Sequence, residues 1–382
     1  MKRKITVTTG TRAEYGILRP VLKSISKNKK LELFLIVTGA HLSEKHGTSI
    51  NEIKKDGFKI SHKFSMLPTG NTNYHMSLNL AKGIKQFSKI FRTIEPDINL
   101  VLGDRDEMLS STIAAYHMNI PNAHIHGGDK SKGGIDEYTR HAITKMSNIH
   151  FAATKTSYSR IIKMGEDKKY VFHTGSPSID EILTNKIISK IALEKKYNTK
   201  LIGNEIVLLY HPVTTQSEIS GKHIENILKA IVKFEQSVIA IGPNSDAGSK
   251  EISEKLITYS KKYNFIKFYK NFPRSDFLGL LNNAGMLVGN SSAGIIEASY
   301  FTIPVINIGI RQHGREQGKN VINTDEKIIN ISRAINLAFK KKKQGQLSKV
   351  RIYGNGTSSK KIVSILETIK LNEKLIQKQI TY

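Results

Sequence analysis

The chain contains no cysteine, and this absence removes several kinds of chemistry from consideration. Without thiols it forms no disulfide, has no thiolate nucleophile and offers no cysteine-ligated metal site. A chain without disulfides suits a reducing compartment. Its start is basic, but the apolar run that follows is too short for a signal peptide. We therefore expect a cytoplasmic protein.

Long apolar runs and acidic residues are also scarce. No stretch approaches the roughly 20 apolar residues that a membrane-spanning helix needs, so we expect no integral membrane contact. The 59 Lys and Arg outnumber the 32 Asp and Glu, which gives a formal net charge of +27. Such a charge attracts phosphates and nucleic acids. Because the lysines are scattered and no basic-aromatic recognition motif stands out, we predict a mostly solvated surface and no nucleic-acid partner.

Apolar strands alternate with amphipathic helices, a pattern that predicts the α/β class with parallel sheets. In the first half, the predicted strands cover residues 5–9, 33–38, 98–102, 123–126 and 150–154, and the predicted helices cover residues 18–27, 76–93, 108–117 and 136–146. In the second half, the predicted strands cover residues 206–210, 238–241, 266–269, 286–288 and 305–308.

A length of 382 residues favours two domains over one. We predict a Rossmann-like domain over residues 1–175 and a second over residues 176–382, whose terminal helix can pack back on the first. The polar segment over residues 175–204 is expected to act as a hinge. Ligands of such sheets bind at the carboxyl ends of the strands, so the expected active site is a cleft between the domains.

The most informative loop follows the predicted strand at residues 286–288 and reads Gly-Asn-Ser-Ser-Ala-Gly. Its small residues leave the start of the next helix open, where backbone N–H groups and the hydroxyls of Ser291 and Ser292 can bind a phosphate. Glu297 follows, where a carboxylate can accept hydrogen bonds from ribose hydroxyls. The pattern predicts a site for a nucleoside diphosphate or a nucleotide sugar, although many α/β loops look similar.

Several carboxylates follow neighbouring predicted strands, namely Asp104, Asp129, Asp136 and Glu137. Crowded carboxylates raise one another's pKa, which creates acid/base pairs usable at neutral pH. We predict that at least one of Asp104 and Asp136 is catalytic. The alternative is that these groups cap helices or pair with Arg105 and Arg140.

Two histidines, His124 and His126, occupy positions i and i+2 of a predicted strand and would share one face of it. With Asp129 nearby, a metal site is one interpretation, but no third ligand has a compelling spacing and we predict no metal. Instead, one histidine should be packed and hydrogen-bonded, while the other, nearer the loop, meets the substrate.

Cationic and neutral donors follow other predicted strands of both halves. His211 can donate to a pyrophosphate or hold a ribose, or it is a structural loop histidine. Arg12 and Arg311 can clamp a phosphate, or they are surface charges.

The motifs together resemble, over both domains, the hydrolysing UDP-N-acetylglucosamine 2-epimerases of sialic-acid pathways. The residues that carry the resemblance are Thr-Arg-Ala-Glu-Tyr at 11–15, Leu-Gly-Asp-Arg at 102–105, His-Ile-His-Gly-Gly at 124–128, Asp-Glu at 136–137, Arg-His-Ala-Ile-Thr-Lys at 140–145, His-Pro-Val-Thr-Thr at 211–215, Asp-Ala-Gly-Ser-Lys-Glu at 246–251, Gly-Asn-Ser-Ser at 289–292 with Glu297, and the Ile-Asn-Ile-Gly-x-Arg-Gln-x-Gly-Arg-Glu segment at 306–316.

The resemblance implies two Rossmann-like domains in the GT-B arrangement, with the catalytic residues in the first and UDP bound by the second. It also implies an N-acetylmannosamine product formed through a 2-acetamidoglucal, a homodimer or homotetramer, and no cofactor. Asp104 and Asp136 correspond to catalytic carboxylates, and His126 and Asp129 join them as acid/base candidates. The implied UDP-sugar contacts are Arg12, Arg105, Glu137, His211, Asn244, Ser291, Ser292, Glu297 and Arg311.

Two departures from the family pattern leave the identity of the sugar open. Asp106 stands where an aromatic residue is usual, and Asp129 stands where Glu is usual. The alternative substrate is UDP-2,4-diacetamido-2,4,6-trideoxyglucose, on the way to legionaminic acid. A non-hydrolysing epimerase and a GT-B glycosyltransferase are further alternatives, and the Gly-Asp-Arg and His-Ile-His-Gly-Gly loops favour the hydrolysing epimerase over both.

Overall fold

Two compact units make up the described part of the chain. The computed structural model describes residues 1–43, 49–66, 73–131, 133, 135–184, 187–244, 246–349 and 351–382. The first unit comprises Met1–Asp129, Asp136–Thr184 and Tyr353–Tyr382, and the second comprises Lys130–Ile135 and Asn185–Ile352. The first unit therefore extends past the boundary expected after residue 175 and also includes the C-terminal segment.

The first unit is built on a seven-stranded parallel sheet. Its strands are β1 (Arg3–Thr9), β2 (Leu31–Val37), β3 (Ile60–Lys63), β4 (Ile98–Leu102), β5 (Asn122–Ile125), β6 (Ile149–Ala152) and β7 (Val171–His173). They lie in the order β3-β2-β1-β4-β5-β6-β7, which is the Rossmann order extended by one strand. Strands β4, β5 and β6 are buried along their whole length, as the interior strands of parallel sheets usually are.

The second unit repeats this design with six parallel strands. They are β8 (Ile206–Leu209), β9 (Val238–Ile241), β10 (Ile266–Tyr269), β11 (Met286–Gly289), β12 (Val305–Ile308) and β13 (Val321–Thr324). Their order, β10-β9-β8-β11-β12-β13, is again the Rossmann order. The predicted pair of Rossmann-like α/β domains is therefore confirmed.

Helices connect the strands in both units. They are α1 (Arg12–Lys27), α2 (Ile50–Lys55), α3 (Asn73–Ile94), α4 (Asp106–His117), α5 (Asp136–Met146), α6 (Lys155–Lys163), α7 (Pro177–Thr184), α8 (Lys190–Tyr197), α9 (Ser220–Ile231), α10 (Ser249–Lys262), α11 (Arg274–Asn283), α12 (Ser292–Ile295), α13 (Ile328–Lys343), α14 (Ser358–Thr368) and α15 (Glu373–Ile376). None of the helices within the described ranges is long and apolar enough to cross a membrane.

Helix α1 starts at Arg12, earlier than the predicted start at residue 18. Its start is set by a capping box, in which the Thr11 side chain accepts from the Glu14 N–H while the Glu14 carboxylate accepts from the Thr11 N–H. The polar first turn of this helix was predicted as a loop because its apolar spacing begins only further along. The consequence is that Arg12 lies on a helix start directly behind β1.

Three strands were not predicted, and all three are at or next to a sheet edge. Strands β3, β7 and β13 are three or four residues long and lie at the ends of their sheets. Their side chains are mostly only half-buried, so the apolar runs that mark the central strands are missing. The predicted strands are mostly the buried interior ones, which carry the strongest signal, although the half-buried edge strand β10 was also predicted.

The segment predicted as the start of a hinge lies inside the first unit. Ser176 and Ser178 are completely buried, and the Ser176 N–H donates to the Tyr353 carbonyl. Both oxygens of the Asp180 carboxylate accept the first backbone N–H groups of α14, those of Ser358 and Ser359. These bonds anchor the returning C-terminal segment in the first unit.

Candidate functional site

The loop after β1 places two buried carboxyl groups beside each other. The Glu14 carboxylate accepts from the Gly10 N–H at 3.0 Å and the Thr11 N–H at 2.9 Å. The Glu107 carboxylate lies against the Cα of Gly10, where a side chain would collide with it. Burial, followed by repulsion from Glu107, raises the pKa of Glu14 to about 7. Glu14 was not among the predicted site residues, and its pKa is poised at neutrality.

Two arginines predicted to contact the nucleotide are engaged in ion pairs nearby. The Arg12 Nε lies 3.4 Å from the Glu52 carboxylate, and the Arg105 Nε lies 3.3 Å from the Glu107 carboxylate. Both arginine side chains keep about a quarter of their surface exposed. They follow β1 and β4, which are paired neighbours in the sheet.

Arg140 draws together three of the predicted acidic positions. Its side chain is 2% exposed and forms an ion pair with Asp104. It also donates to the Glu137 carboxylate at 3.3 Å and to the Asp129 carbonyl oxygen at 3.2 Å. This guanidinium therefore places its positive charge against the Asp104 carboxylate at the carboxyl end of β4. Asp136 begins α5, one residue before Glu137, and is partly exposed.

His124 is the packed histidine of the pair. It is fully buried in β5, donates from Nε2 to the Gly103 carbonyl at 2.7 Å, and faces the Thr144 hydroxyl at 3.2 Å with Nδ1. Burial lowers its pKa to about 3, so the ring is neutral.

The sequence predicted that His124 and His126 lie in the same strand, but in the structure they do not. His126 follows the end of β5 in a left-handed conformation with φ of 65°, an uncommon geometry for a residue with a side chain. Its Nδ1 bonds the Asp129 carboxylate at 2.9 Å and its Nε2 bonds the Ser176 hydroxyl at 2.9 Å. The second Asp129 oxygen accepts from the Ser157 hydroxyl at 2.7 Å. His126 and Asp129 thus form a buried chain whose polar atoms already bond to protein.

In the second unit, the predicted His211 lies just beyond β8. Its Nδ1 accepts the backbone N–H of Asn244 at 3.0 Å, so the neutral ring carries its proton on Nε2. This arrangement turns Nε2 into a donor, which is what an anionic ligand requires. The Asn244 side chain itself bonds to Asp246.

The Ser-Ser loop behind β11 leads into a helix of only four residues, α12. The Ser291 hydroxyl caps it by accepting from the Ala293 N–H at 3.4 Å, and Ser292 is its first residue. Glu297 follows this helix and is 3% exposed. Its carboxylate accepts from Nη2 of the buried Arg274 at 2.8 Å. Arg274 was not predicted, because no motif connects it with Glu297.

Arg311 follows β12 and reaches back to β11. Its Nη1 donates to the Asn290 carbonyl oxygen at 3.2 Å, and the Gln312 amide donates to the same oxygen at 3.0 Å. The structure therefore brings His211, Ser291 and Arg311 to one edge of the second sheet, since β8, β11 and β12 are consecutive neighbours. The described residues contain no group of three or more His, Asp or Glu arranged to hold a metal ion.

Residues 23–367 match the sequence profile of the family described as UDP-N-acetylglucosamine 2-epimerase. The chain belongs to this family. It is 37% identical over 381 residues to the UDP-N,N'-diacetylbacillosamine 2-epimerase (hydrolyzing) of Legionella pneumophila, with 99% of both chains covered. It is also 34% identical over 336 residues to the UDP-N-acetylglucosamine 2-epimerase of Neisseria meningitidis, with 88% of this chain and 87% of that protein's length aligned.

A solved structure shares the fold. The UDP-N-acetylglucosamine 2-epimerase of Methanocaldococcus jannaschii, determined in complex with UDP-GlcNAc and UDP, superposes with a TM-score of 0.80 at 21% identity, covering 95% of this chain and 99% of that one. Membership of the family and the hydrolysing relatives make this chain an enzyme of the hydrolysing UDP-sugar 2-epimerase kind.

Sequence reasoning missed the residues that hold the predicted ones. These are Ser176 on His126, Asn290 behind His211, Gln312 beside Arg311, and Arg274 on Glu297. The pairing of the acidic group with Arg140 was one of the two predicted alternatives. Asn290 and Gln312 lie within motifs that the sequence analysis noted. Ser176 and Arg274 lie far along the chain from their partners, and only the folded chain joins them.

Proposed function

We propose that the chain hydrolyses UDP-N,N'-diacetylbacillosamine, which is UDP-2,4-diacetamido-2,4,6-trideoxyglucose, to UDP and the free sugar inverted at C2. The observation that carries this choice is the 37% identity to the Legionella enzyme over 99% of both chains. This was the alternative substrate of the sequence analysis. The second candidate is UDP-N-acetylglucosamine, which is favoured by the Neisseria relative at 34% identity.

The C2 hydrogen of such a sugar is not adjacent to a carbonyl, so a base cannot simply remove it. The bond between C1 and the UDP oxygen breaks first, with its electron pair leaving on UDP and positive charge building on the ring. A base then takes the C2 proton to give a glycal. Protonation of C2 from the opposite face and addition of water at C1 complete the reaction. The acid/base steps need groups whose pKa lies near neutral pH. Cleavage of the C1–O bond needs groups that lie close to the charge that they stabilise.

Burial divides the four acid/base candidates of the first unit into two pairs. Asp104 and Asp136 keep part of their surface exposed, whereas His126 and Asp129 are buried and bonded to each other. We therefore assign contact with the sugar to Asp104 and Asp136. Asp104, whose carboxylate pairs with Arg140, suits stabilisation of the ring cation. His126 and Asp129 are assigned to positioning the loop that carries them.

We assign binding of the nucleotide to the hydrogen-bond donors of the second unit. The Nε2–H of His211, the guanidinium of Arg311 and the hydroxyls of Ser291 and Ser292 supply the donors that a diphosphate accepts. Because these donors strengthen their bonds as charge develops on the departing UDP, they accelerate C1–O cleavage as well as binding UDP.

The substrate is tested by parallel assays of both UDP-sugars in D2O, followed by proton NMR. UDP-N,N'-diacetylbacillosamine should release UDP and a product with deuterium at C2, with a kcat/KM roughly tenfold or more above that for UDP-N-acetylglucosamine. A preference for UDP-N-acetylglucosamine would transfer the assignment to the second candidate. A product that keeps UDP attached would refute hydrolysis itself.

A further inference from the structure

Asn290, the first residue after β11, is 1% exposed and pairs with the backbone of His211 in both directions. Its Oδ1 accepts the His211 N–H at 2.7 Å, and its Nδ2 donates to the His211 carbonyl at 2.8 Å. The last backbone pair of the two strands is Gly289 with Leu209. The side-chain amide of Asn290 thus makes the two hydrogen bonds to His211 that the backbone of a further strand residue would make.

The sequence around Asn290 explains why an asparagine can do this. Gly289 has a φ of 143°, and a Cβ there would overlap the Leu209 carbonyl. Only glycine allows the two backbones to come so close. At that separation a short amide, with one donor and one acceptor on the same carbon, reaches both backbone groups of His211. Aspartate lacks the donor.

The backbone of Asn290 also contacts the segment that follows a third strand, β12. Its carbonyl oxygen accepts from Arg311 Nη1 at 3.2 Å and from Gln312 Nε2 at 3.0 Å. The His211 ring, in turn, is fixed by the Asn244 N–H behind β9. One residue therefore connects the ends of β8, β11 and β12, and through His211 the end of β9.

We infer that Asn290 is the positioning residue of the nucleotide-binding edge, aligning His211 and Arg311 without touching the ligand. Each polar atom of its amide bonds the His211 backbone, and the residue is 1% exposed, so we assign its effect on the ligand to the placement of His211. The inference rests on the proposed function for the identity of the ligand, UDP, but the alignment of His211 can be measured without any ligand.

Asn307 offers a matched control. It is a buried asparagine of β12, and its Nδ2 donates to the Asn323 side chain at 2.8 Å. Asn290→Asp and Asn307→Asp each delete one buried amide donor from the same sheet while preserving volume. They differ in that only Asn290 holds His211.

The affinity of each variant for UDP is measured by calorimetry, with thermal unfolding recorded alongside. Asn290→Asp should weaken UDP binding roughly tenfold to hundredfold. This is the scale expected when one buried hydrogen bond is lost and the donors of His211 and Arg311 are displaced. Asn307→Asp should stay within about threefold of the parent. Because a protonated aspartate regains an O–H donor toward the His211 carbonyl, the affinity of Asn290→Asp should recover as pH falls, which a general loss of stability would not produce.

Hydrogen exchange of the His211 N–H provides the test that needs no ligand. In Asn290→Ala this amide loses its acceptor, so its exchange should speed up at least tenfold, and in Asn307→Ala it should not. Unchanged exchange in Asn290→Ala overturns the inference whether or not UDP binds. If the parent protein binds no UDP while the exchange responds as expected, the proposed function fails and the positioning of His211 stands. Equal losses of UDP affinity in both aspartate variants would also overturn the inference.

Discussion

The two units hold their functional side chains in different ways. In the first, charged side chains hold one another, as when buried Arg140 pairs with Asp104 and Glu137. In the second, backbone groups and neutral amides do most of the holding, as when Asn290 bonds the His211 backbone and an N–H fixes the His211 ring. The Arg274–Glu297 ion pair is the exception in the second unit.

The difference matches what each unit is proposed to do. Acid/base chemistry needs titratable groups whose pKa is set by their surroundings, and burial and neighbouring charges both do this. Binding a diphosphate needs hydrogen-bond donors that are oriented before the ligand arrives. Backbone groups and amide side chains can orient them without the desolvation cost of buried ion pairs. Substitutions in the first unit should therefore change turnover with little change in UDP affinity, whereas substitutions at the diphosphate donors of the second unit should lower both affinity and turnover.

The largest effect is expected for Asp104→Asn. This change keeps the volume but removes the charge that faces Arg140 and the basicity that the reaction needs, so kcat should fall by roughly two or more orders of magnitude while UDP affinity is retained. Steady-state kinetics and UDP calorimetry measure the two quantities.

A matched control is Asp180→Asn, which also removes a carboxylate from the first unit but only weakens the cap of α14. It should lower the unfolding temperature without the loss of kcat. Equal turnover in Asp104→Asn and the parent would reduce Asp104 to a structural partner of Arg140.

The contrast between the units also explains what the sequence could predict. The buried central strands were predicted because apolar residues mark them, whereas β3, β7 and β13 are short edge strands without such a pattern. The edge strand β10 was also predicted, because three of its four residues are Ile, Phe and Tyr. The site residues at strand ends were proposed from their type and position. Except for Arg140, their partners were not, because pairs such as His126 with Ser176 join residues far apart in the chain. The expected cleft between the domains, the oligomeric state and the roles of individual residues stay predictions.

The Glu297–Arg274 pair tests whether the exception in the second unit is structural or functional. Glu297→Ala should weaken UDP binding roughly tenfold to hundredfold if its carboxylate holds the ribose. It also removes the carboxylate that pairs with the buried Arg274, which should destabilise the fold by about 3–5 kcal/mol.

The double variant Arg274→Met with Glu297→Leu separates the two effects, since it replaces the pair by apolar side chains of similar size. It should regain most of the lost stability while UDP affinity stays low. Recovery of UDP affinity together with stability would mean that the ion pair only packs the fold, and the ribose contact would have to be abandoned.

The smallest expected effect concerns Glu14, whose raised pKa should make the stability of the protein depend on pH. Its pKa is about 7 in the folded protein, against 4.5 ordinarily, mainly because it is buried. The folded state therefore holds this proton more tightly than the unfolded chain does. The resulting stability is fully present below pH 4.5 and is lost as pH rises through about 7. Glu14→Gln keeps the helix cap but cannot ionise, so it should remove this slope, on the order of 1–3 kcal/mol between pH 5 and pH 8.

Urea unfolding at a series of pH values measures the slope, and two further variants sharpen it. Glu107→Gln removes the repelling charge beside Glu14, which should lower the pKa of Glu14 and shift the loss of stability to lower pH. Glu373→Gln, at the exposed start of α15, should leave the slope of the parent unchanged. If Glu14→Gln and the parent protein show the same pH dependence, the carboxyl pair is not tuned by burial. The charge-based account of the first unit would then rest on Asp104 and Arg140 alone.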